Sequence, residues 1–152
     1  MVKTIRVNSG IEIVGFREFS RELKRLGDDG QWQKDLKAVN WVAAKDIVAA
    51  ARRRATDGPA RKAVNAGALR ANKAVNNASV TLKNTGRTPY AFGAEFGAKQ
   101  YRQFRSWRGN QFQGWDGGPG YFLHPAIREE GPKILDKYMD EIGKLCERAF
   151  PD

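Results

Sequence analysis

Apolar residues recur every three or four positions in two long stretches, and this spacing predicts two long helices. The first covers about 31–56, with Leu36 on its apolar face. It ends before Pro59, because proline disfavours helical geometry in the residue that precedes it. The second covers about 125–149, with Ile142 on its stripe. We expect these two apolar faces to form the core together with a small sheet.

Shorter patterns fill the rest of the chain. Residues 4–15 predict one or two short strands with a turn, and 16–26 have the spacing of a short amphipathic helix. Residues 78–84 alternate as a half-buried strand does, and 90–97 predict a further strand or strand end. The weakly apolar stretch 60–78 predicts a loop that leads into the first of these strands.

This order of elements predicts an α+β fold rather than a doubly wound sheet. We expect a small, mostly antiparallel sheet packed against the long central helix and the C-terminal helix. The 152 residues suit a single domain, 1–152, with an extended loop at 98–120. Cys146 is the only cysteine, so no disulfide forms within the chain. No run approaches the ~20 apolar residues of a membrane span, which predicts a soluble protein with no membrane partner.

The net charge of +10 is concentrated in the middle of the chain. Residues 61–120 hold ten basic and two acidic side chains, whereas 121–152 hold five basic and seven acidic ones. Such a zone is typical of a surface that meets nucleic acid or an acidic protein, although it also suits a solvated face.

The 98–120 loop combines cations, aromatic residues and glycines, with a basic or aromatic residue at roughly every third position. Arginine and large aromatic side chains are enriched at binding hot spots, and several exposed aromatics are a liability on a lone monomer. We therefore expect the loop to bury them, either on the chain's own sheet or on a neighbouring subunit. The candidate assembly residues are Lys99, Tyr101, Arg102, Phe104, Arg105, Trp107, Arg108, Phe112 and Trp115.

Few residues suit catalysis or metal binding. His124 is the only histidine, and its place at a loop-to-helix junction suits packing or capping. One histidine and one cysteine do not make an ordinary zinc site, and the glycines at 117–120 lack the lysine of a phosphate loop. We expect no catalytic residue, no cofactor and no metal, and so no enzyme. A small nuclease that uses arginine, tyrosine and His124 is the enzymatic alternative.

Two short motifs give the chain a family resemblance. The first is tyrosine–alanine followed by glutamate–phenylalanine–glycine, and the second is an aromatic–leucine–proline–alanine segment that opens the last helix. In this order, after a long helix and a basic stretch, they make the chain resemble the tail-component or head–tail joining proteins of long-tailed bacteriophages. Those proteins are similar to the Z-type minor tail protein that completes the tail. The motif residues, expected to be structural, are Tyr90, Glu95, Phe96, Gly97, Phe122, Leu123 and Pro125.

The resemblance implies a structural virion protein without an active site. Such proteins form homo-oligomeric rings in the phage neck, here expected to be hexamers, that connect head to tail. Their partners are other neck and tail proteins, with DNA in the channel as a further contact. The expected location is the virion, after synthesis in the host cytoplasm. A tail terminator that caps the tail tube and a basic nucleic-acid-binding protein are the alternatives.

Three expectations concern how the motif and the loop work. Glu95 is expected to be held by an arginine, and Phe96 to pack inward. Gly97 is expected to take a positive φ where the chain leaves a strand for the loop. The loop's cations are expected to meet acidic clusters of a neighbouring subunit at Glu129–Glu130 and Asp140–Glu141.

Overall fold

The structure is a computed structural model. It describes residues 3–7, 10–14, 18, 21, 22, 25, 30–75, 77–109 and 118–149. These residues form an α+β fold, which confirms the predicted class. In chain order the elements are strands β1 (Lys3–Val7) and β2 (Gly10–Val14), helices α1 (Gln31–Arg54) and α2 (Gly58–Asn65), strands β3 (Leu69–Ala71) and β4 (Val80–Leu82), and helices α3 (Ala91–Phe96) and α4 (Leu123–Ala149).

The four strands form two antiparallel ribbons of two strands each. β1 pairs with β2 in an antiparallel hairpin, so two strands form where one or two were predicted. β3 pairs with β4, with Leu69 opposite Leu82, and this ribbon packs on α1. The helix predicted at 16–26 is described only in part, and its apolar residues lie outside the described residues. Its described members are helical and exposed: Glu18, Arg21, Glu22 and Arg25.

α1 and α4 run antiparallel and pack along much of their length. Leu36 on α1 and Leu145 on α4 are fully buried, and Ile142 is nearly so. The predicted apolar faces of the two helices are therefore confirmed. Each helix keeps one stripe of apolar residues in contact with the other, because side chains three or four positions apart share a helix face.

A buried polar residue ties this helix pair to the β3–β4 connection. Asn40 on α1 is fully buried and accepts a hydrogen bond at 2.5 Å from the hydroxyl of Tyr138 on α4. Its amide nitrogen donates to the carbonyl oxygens of Ala74 and Val75 at 2.9 and 2.8 Å. Burial raises the pKa of Tyr138, so the hydroxyl stays protonated and donates. The amide oxygen and the amide nitrogen of Asn40 therefore both have hydrogen-bond partners.

A second apolar cluster lies around Phe122, which is completely buried where α4 begins. The residues that surround it are mostly alanines, so helices from distant parts of the chain approach closely at this point. Its fully buried small members are Ala50, Ala51, Ala63, Ala68, Ala91 and Ala126.

Two sequence-based assignments were wrong. The predicted loop at 60–78 contains helix α2, because the Asp57 carboxylate accepts a hydrogen bond from the Ala60 N–H at 3.1 Å and Pro59 fits the first turn. The predicted strand at 90–97 is the six-residue helix α3. Its inward face repeats at helical spacing, with Ala91, Ala94 and Glu95 buried.

Candidate functional site

Glu95 stands at the centre of the region to which the motif residues converge. It lies near the end of α3, and its side chain is completely buried. One carboxylate oxygen accepts hydrogen bonds from the backbone N–H groups of Tyr121 (2.6 Å) and Phe122 (3.0 Å). The other accepts from the N–H groups of Leu123 (2.7 Å) and His124 (3.3 Å). We call Glu95 with these four amides the Glu95 clamp.

The Glu95 clamp caps the first turn of α4. The first N–H groups of a helix have no partner within the helix, and the partial positive charge at this end favours an anion. A carboxylate brought from another helix satisfies both requirements, with four charge-assisted bonds. The expectation that an arginine holds Glu95 was therefore wrong, because backbone amides take that place.

Glycines let the chain approach the clamp closely. Gly97 has φ +82°, as predicted, although it follows a helix rather than a strand. A β-carbon there would overlap the carbonyl oxygen of Ser106. Gly120 has φ +86°, and a β-carbon on it would overlap the Glu95 carboxylate. A larger residue at either position would need a positive φ and a shift of the atoms it meets, which are backbone atoms at Gly97 and the Glu95 side chain at Gly120.

The rings of Phe96 and His124 pack against each other beside the Glu95 clamp. Phe96 is buried, as predicted, and its ring centroid lies 5.1 Å from that of His124. The His124 side chain is 12% exposed, and its Nδ1 lies 3.5 Å from the Glu95 carboxylate. Neither ring nitrogen has a hydrogen-bond partner among the described residues. The packing and capping role expected for His124 fits this position.

The first part of the 98–120 loop folds back on α3. The N–H of Arg108 donates to the Phe96 carbonyl at 2.7 Å, and the N–H of Ala98 donates to the Arg105 carbonyl at 3.0 Å. The Phe104 ring lies 5.8 Å from that of Tyr90. Residues 98–108 therefore form a compact turn whose base is anchored to the end of α3.

Several of the predicted assembly residues contact other residues of the chain. Arg108 and Arg105 lie 3.9 and 5.1 Å from the ring centroid of Tyr121, whose hydroxyl donates to the Ser106 carbonyl at 2.7 Å. The Lys99 ammonium lies 4.5 Å from the ring centroid of Trp107.

Tyr101 and Arg102 are among the residues of the turn that are open to solvent. Tyr101 is 60% exposed, and Arg102 is exposed beside it. Two other candidates, Phe112 and Trp115, lie outside the described residues. Phe92, which the sequence analysis did not single out, is 42% exposed and stacks on Phe96 with ring centroids 6.5 Å apart.

The acidic clusters expected to receive a neighbour's cations are largely used within the chain. Glu130 contacts Arg53 at 3.0 Å and Arg54 at 3.2 Å, and Glu129 contacts Arg54 at 2.6 Å. The hydrogen bond to Glu129 raises the pKa of Arg54. Burial opposes ionisation of Glu130, but its bonds to the two arginines hold the pKa of its carboxyl below the usual value.

The second acidic cluster is also partly occupied, because Glu141 pairs with Lys144 at 3.1 Å. Of the four carboxylates, only Asp140 lacks an ion pair within the part of the chain that the structure describes. The expected contact of these clusters with a neighbouring loop stays a prediction, and Glu129 and Glu130 already have partners on α1.

Among the described residues, no group of three or more histidine, cysteine or acidic side chains is placed to hold a metal ion. In the same part of the chain, no helix has the length and apolar character that crossing a bilayer requires.

No family model, curated protein or solved structure matches this chain. The resemblance to phage head–tail joining proteins therefore stays a prediction that rests on the short motifs. The geometry adds that both motifs meet in one place: α3 supplies Glu95 and Phe96, and the start of α4 supplies the amides and Phe122. This arrangement fixes the start of α4 against α3.

Proposed function

We propose that this chain is a structural protein of the neck of a long-tailed phage, where a homo-oligomeric ring of it joins head to tail. The observation that supports the proposal is the convergence of the two motifs in the Glu95 clamp. Glu95 of the first motif accepts hydrogen bonds from Phe122 and Leu123 of the second motif, 27 and 28 positions away, and the neighbouring amides of Tyr121 and His124 add two more. Glu95, Phe122 and Leu123 of the motifs thus have a structural role, because their hydrogen bonds join α3 to the start of α4.

A non-catalytic role fits the chemistry of the clamp. Both Glu95 oxygens already accept two hydrogen bonds each, so the carboxylate has little capacity left to take a proton from a substrate. The nearest titratable group, His124, faces this occupied carboxylate with its Nδ1. This pair holds two parts of the fold together.

A ring provides a place for the exposed part of the 98–120 loop. Tyr101 and Arg102 extend from a turn that is anchored to the body, and Phe92 is exposed on α3. Burying tyrosine and arginine at the centre of an interface is a common source of binding energy. We propose that this turn contacts the adjacent subunit, and that six copies close the ring.

Native mass spectrometry and size-exclusion chromatography with light scattering test the ring. We expect an assembly of several subunits that dissociates in Tyr101→Ser/Arg102→Ser, with the unfolding midpoint of the subunit unchanged. The matched control is Gln100→Ser/Gln103→Ser, which alters exposed residues of the same turn. A monomeric wild-type protein, or a double variant that assembles normally, would contradict the proposed interface.

Electron microscopy of phage particles that lack the protein tests the place of the ring. Filled heads beside tails of normal length that are not joined to them are expected for a joining protein. Tails of uncontrolled length would instead favour the tail terminator, since the end of the tube would be uncapped.

A further inference from the structure

One stretch of the chain carries cations and no acids. Residues 58–94 contain no aspartate or glutamate. They contain six basic residues, all exposed: Arg61, Lys62, Arg70, Lys73, Lys83 and Arg87. None of the six forms an ion pair within the part of the chain that the structure describes. Lys73 lies 3.9 Å from the centroid of the Trp41 ring, and this stretch as a whole exposes positive charge that no acidic side chain among the described residues pairs with.

The β3–β4 ribbon holds some of these basic side chains in fixed positions on one face. Its inner residues Leu69 and Leu82 pack in the core, and this fixes which side chains point outward. Arg70 on β3 lies directly opposite Thr81 on β4, and both are exposed. Lys83 continues the same face, because its N–H donates to the Ala68 carbonyl at 2.9 Å and extends the ladder.

Polar groups complete this outer face. The amide nitrogen of Asn72 donates to the hydroxyl oxygens of Ser79 at 3.1 Å and Thr81 at 2.8 Å. These bonds leave the hydroxyl hydrogens available to an acceptor from outside. We call the outward side chains of Arg70, Asn72, Ser79, Thr81 and Lys83 the basic ribbon face.

The chemistry of the basic ribbon face matches a phosphate backbone. Arginine, lysine, asparagine and hydroxyl side chains are the usual donors to phosphate oxygens, and a two-stranded ribbon has the width of the major groove. The face contains no aromatic side chain, whereas proteins that bind single strands stack bases on aromatic rings. This composition favours a duplex over a single strand.

We infer that the basic ribbon face binds the phosphate backbone of double-stranded DNA without sequence preference. The inference rests on the proposed function for the choice of DNA as the polyanion, since a neck ring encloses the path of the genome. A neighbouring subunit is a poorer acidic partner, because Glu129 and Glu130 are paired with arginines of their own chain.

Fluorescence anisotropy with the full-length protein and a labelled 20-base-pair duplex tests the inference across a series of salt concentrations. Each phosphate contact contributes about 0.9 to the slope of log K against log [salt]. Arg70→Gln/Lys83→Gln should therefore reduce the slope by about 1.8 and weaken binding about 60-fold at 0.1 M salt. Arg70→Lys/Lys83→Arg keeps both charges and should bind as the wild type does.

The matched control is Lys133→Gln/Arg148→Gln, which removes the same charge from exposed positions of α4. It should change affinity by less than about threefold, since α4 does not belong to the basic ribbon face and its charges would act on the DNA only through a screened field. An equal loss in both double variants would overturn the inference. So would tighter binding to a 20-nucleotide single strand, or equal competition by polyglutamate of the same charge.

The inference and the proposed function fail separately. A wild-type protein that binds the duplex through this face but forms no ring contradicts the neck function and leaves the DNA surface in place. A ring that joins heads to tails but does not bind the duplex contradicts the DNA surface alone. Native mass spectra of Arg70→Gln/Lys83→Gln should show the wild-type assembly.

Discussion

Replacing Glu95 by glutamine removes the charge from the Glu95 clamp and leaves the size of the side chain almost unchanged. One carboxylate oxygen becomes an NH2 group, so two of the four backbone N–H groups at the start of α4 face a donor instead of an acceptor. The residue is fully buried, so water does not replace the lost bonds.

The expected cost follows from the bonds that are lost. A hydrogen bond to a charged group contributes about 1.5–3 kcal/mol, so two such bonds correspond to about 3–6 kcal/mol. This range applies to Glu95→Gln, because its remaining amide oxygen keeps two of the four donors. Glu95→Ala leaves all four N–H groups without a partner, and the loss approaches the whole stability of a domain, about 5–15 kcal/mol.

Urea denaturation followed by tryptophan fluorescence and circular dichroism measures these changes. Glu147→Gln is the matched control, since Glu147 is an exposed residue of α4 and its loss should cost less than about 0.5 kcal/mol. A free energy of unfolding for Glu95→Gln within about 1 kcal/mol of the wild type would refute the reasoning. It would mean that the charge of the carboxylate does not stabilise the start of α4.

Three further predictions concern stability. Gly97→Ala should lower the thermal midpoint far more than Gly67→Ala, because both glycines have positive φ but only at Gly97 does a β-carbon meet the backbone of the 98–120 loop; equal shifts would show that the close approach is not rigid. Leu36→Ala should cost about 2–5 kcal/mol, whereas Val42→Ala, 40% exposed, should cost less than about 1 kcal/mol; similar denaturation midpoints would place Leu36 outside the core. The pKa of the Glu130 carboxyl is lowered in the folded chain, so its ion pairs stabilise the fold at pH values above its ordinary pKa. This stabilisation is lost as pH falls through the pKa of the folded chain. If the difference in unfolding free energy between wild type and Glu130→Gln did not shrink between about pH 6 and pH 3, the ion pair would be contradicted.

The long helices could be predicted because their stripes are long. Leu36 and Ile142 each belong to an apolar repeat of several turns, and a repeat of that length outweighs any single misleading residue. The eight residues of α2 hold fewer than three turns and are rich in alanine and asparagine, so periodicity is weak there. The signal for α2 was Asp57 before Pro59, a pattern that begins a helix as well as ending one.

The Glu95 clamp could be predicted only in part. Aromatic residues and Gly93 made α3 resemble a strand, and its six residues span too few turns for a stripe. The partners of Glu95 lie 26–29 positions away and are backbone groups, which have no signature in the sequence. One signal was present: Glu95 is the only acidic residue between Asp57 and Asp116. A single carboxylate in so basic a stretch indicates a specific partner.

The Glu95 clamp also determines the order in which parts of the fold open. The first amide hydrogens of a helix usually exchange with solvent fastest, because nothing holds them and helix ends fray. In α4 the N–H groups of Leu123 and His124 are bonded to a residue of α3. Their exchange therefore requires α3 to detach, and the 98–120 loop loses its base in the same event. In deuterium-exchange mass spectrometry, the start of α4, α3 and the base of the loop should take up label together as one cooperative unit.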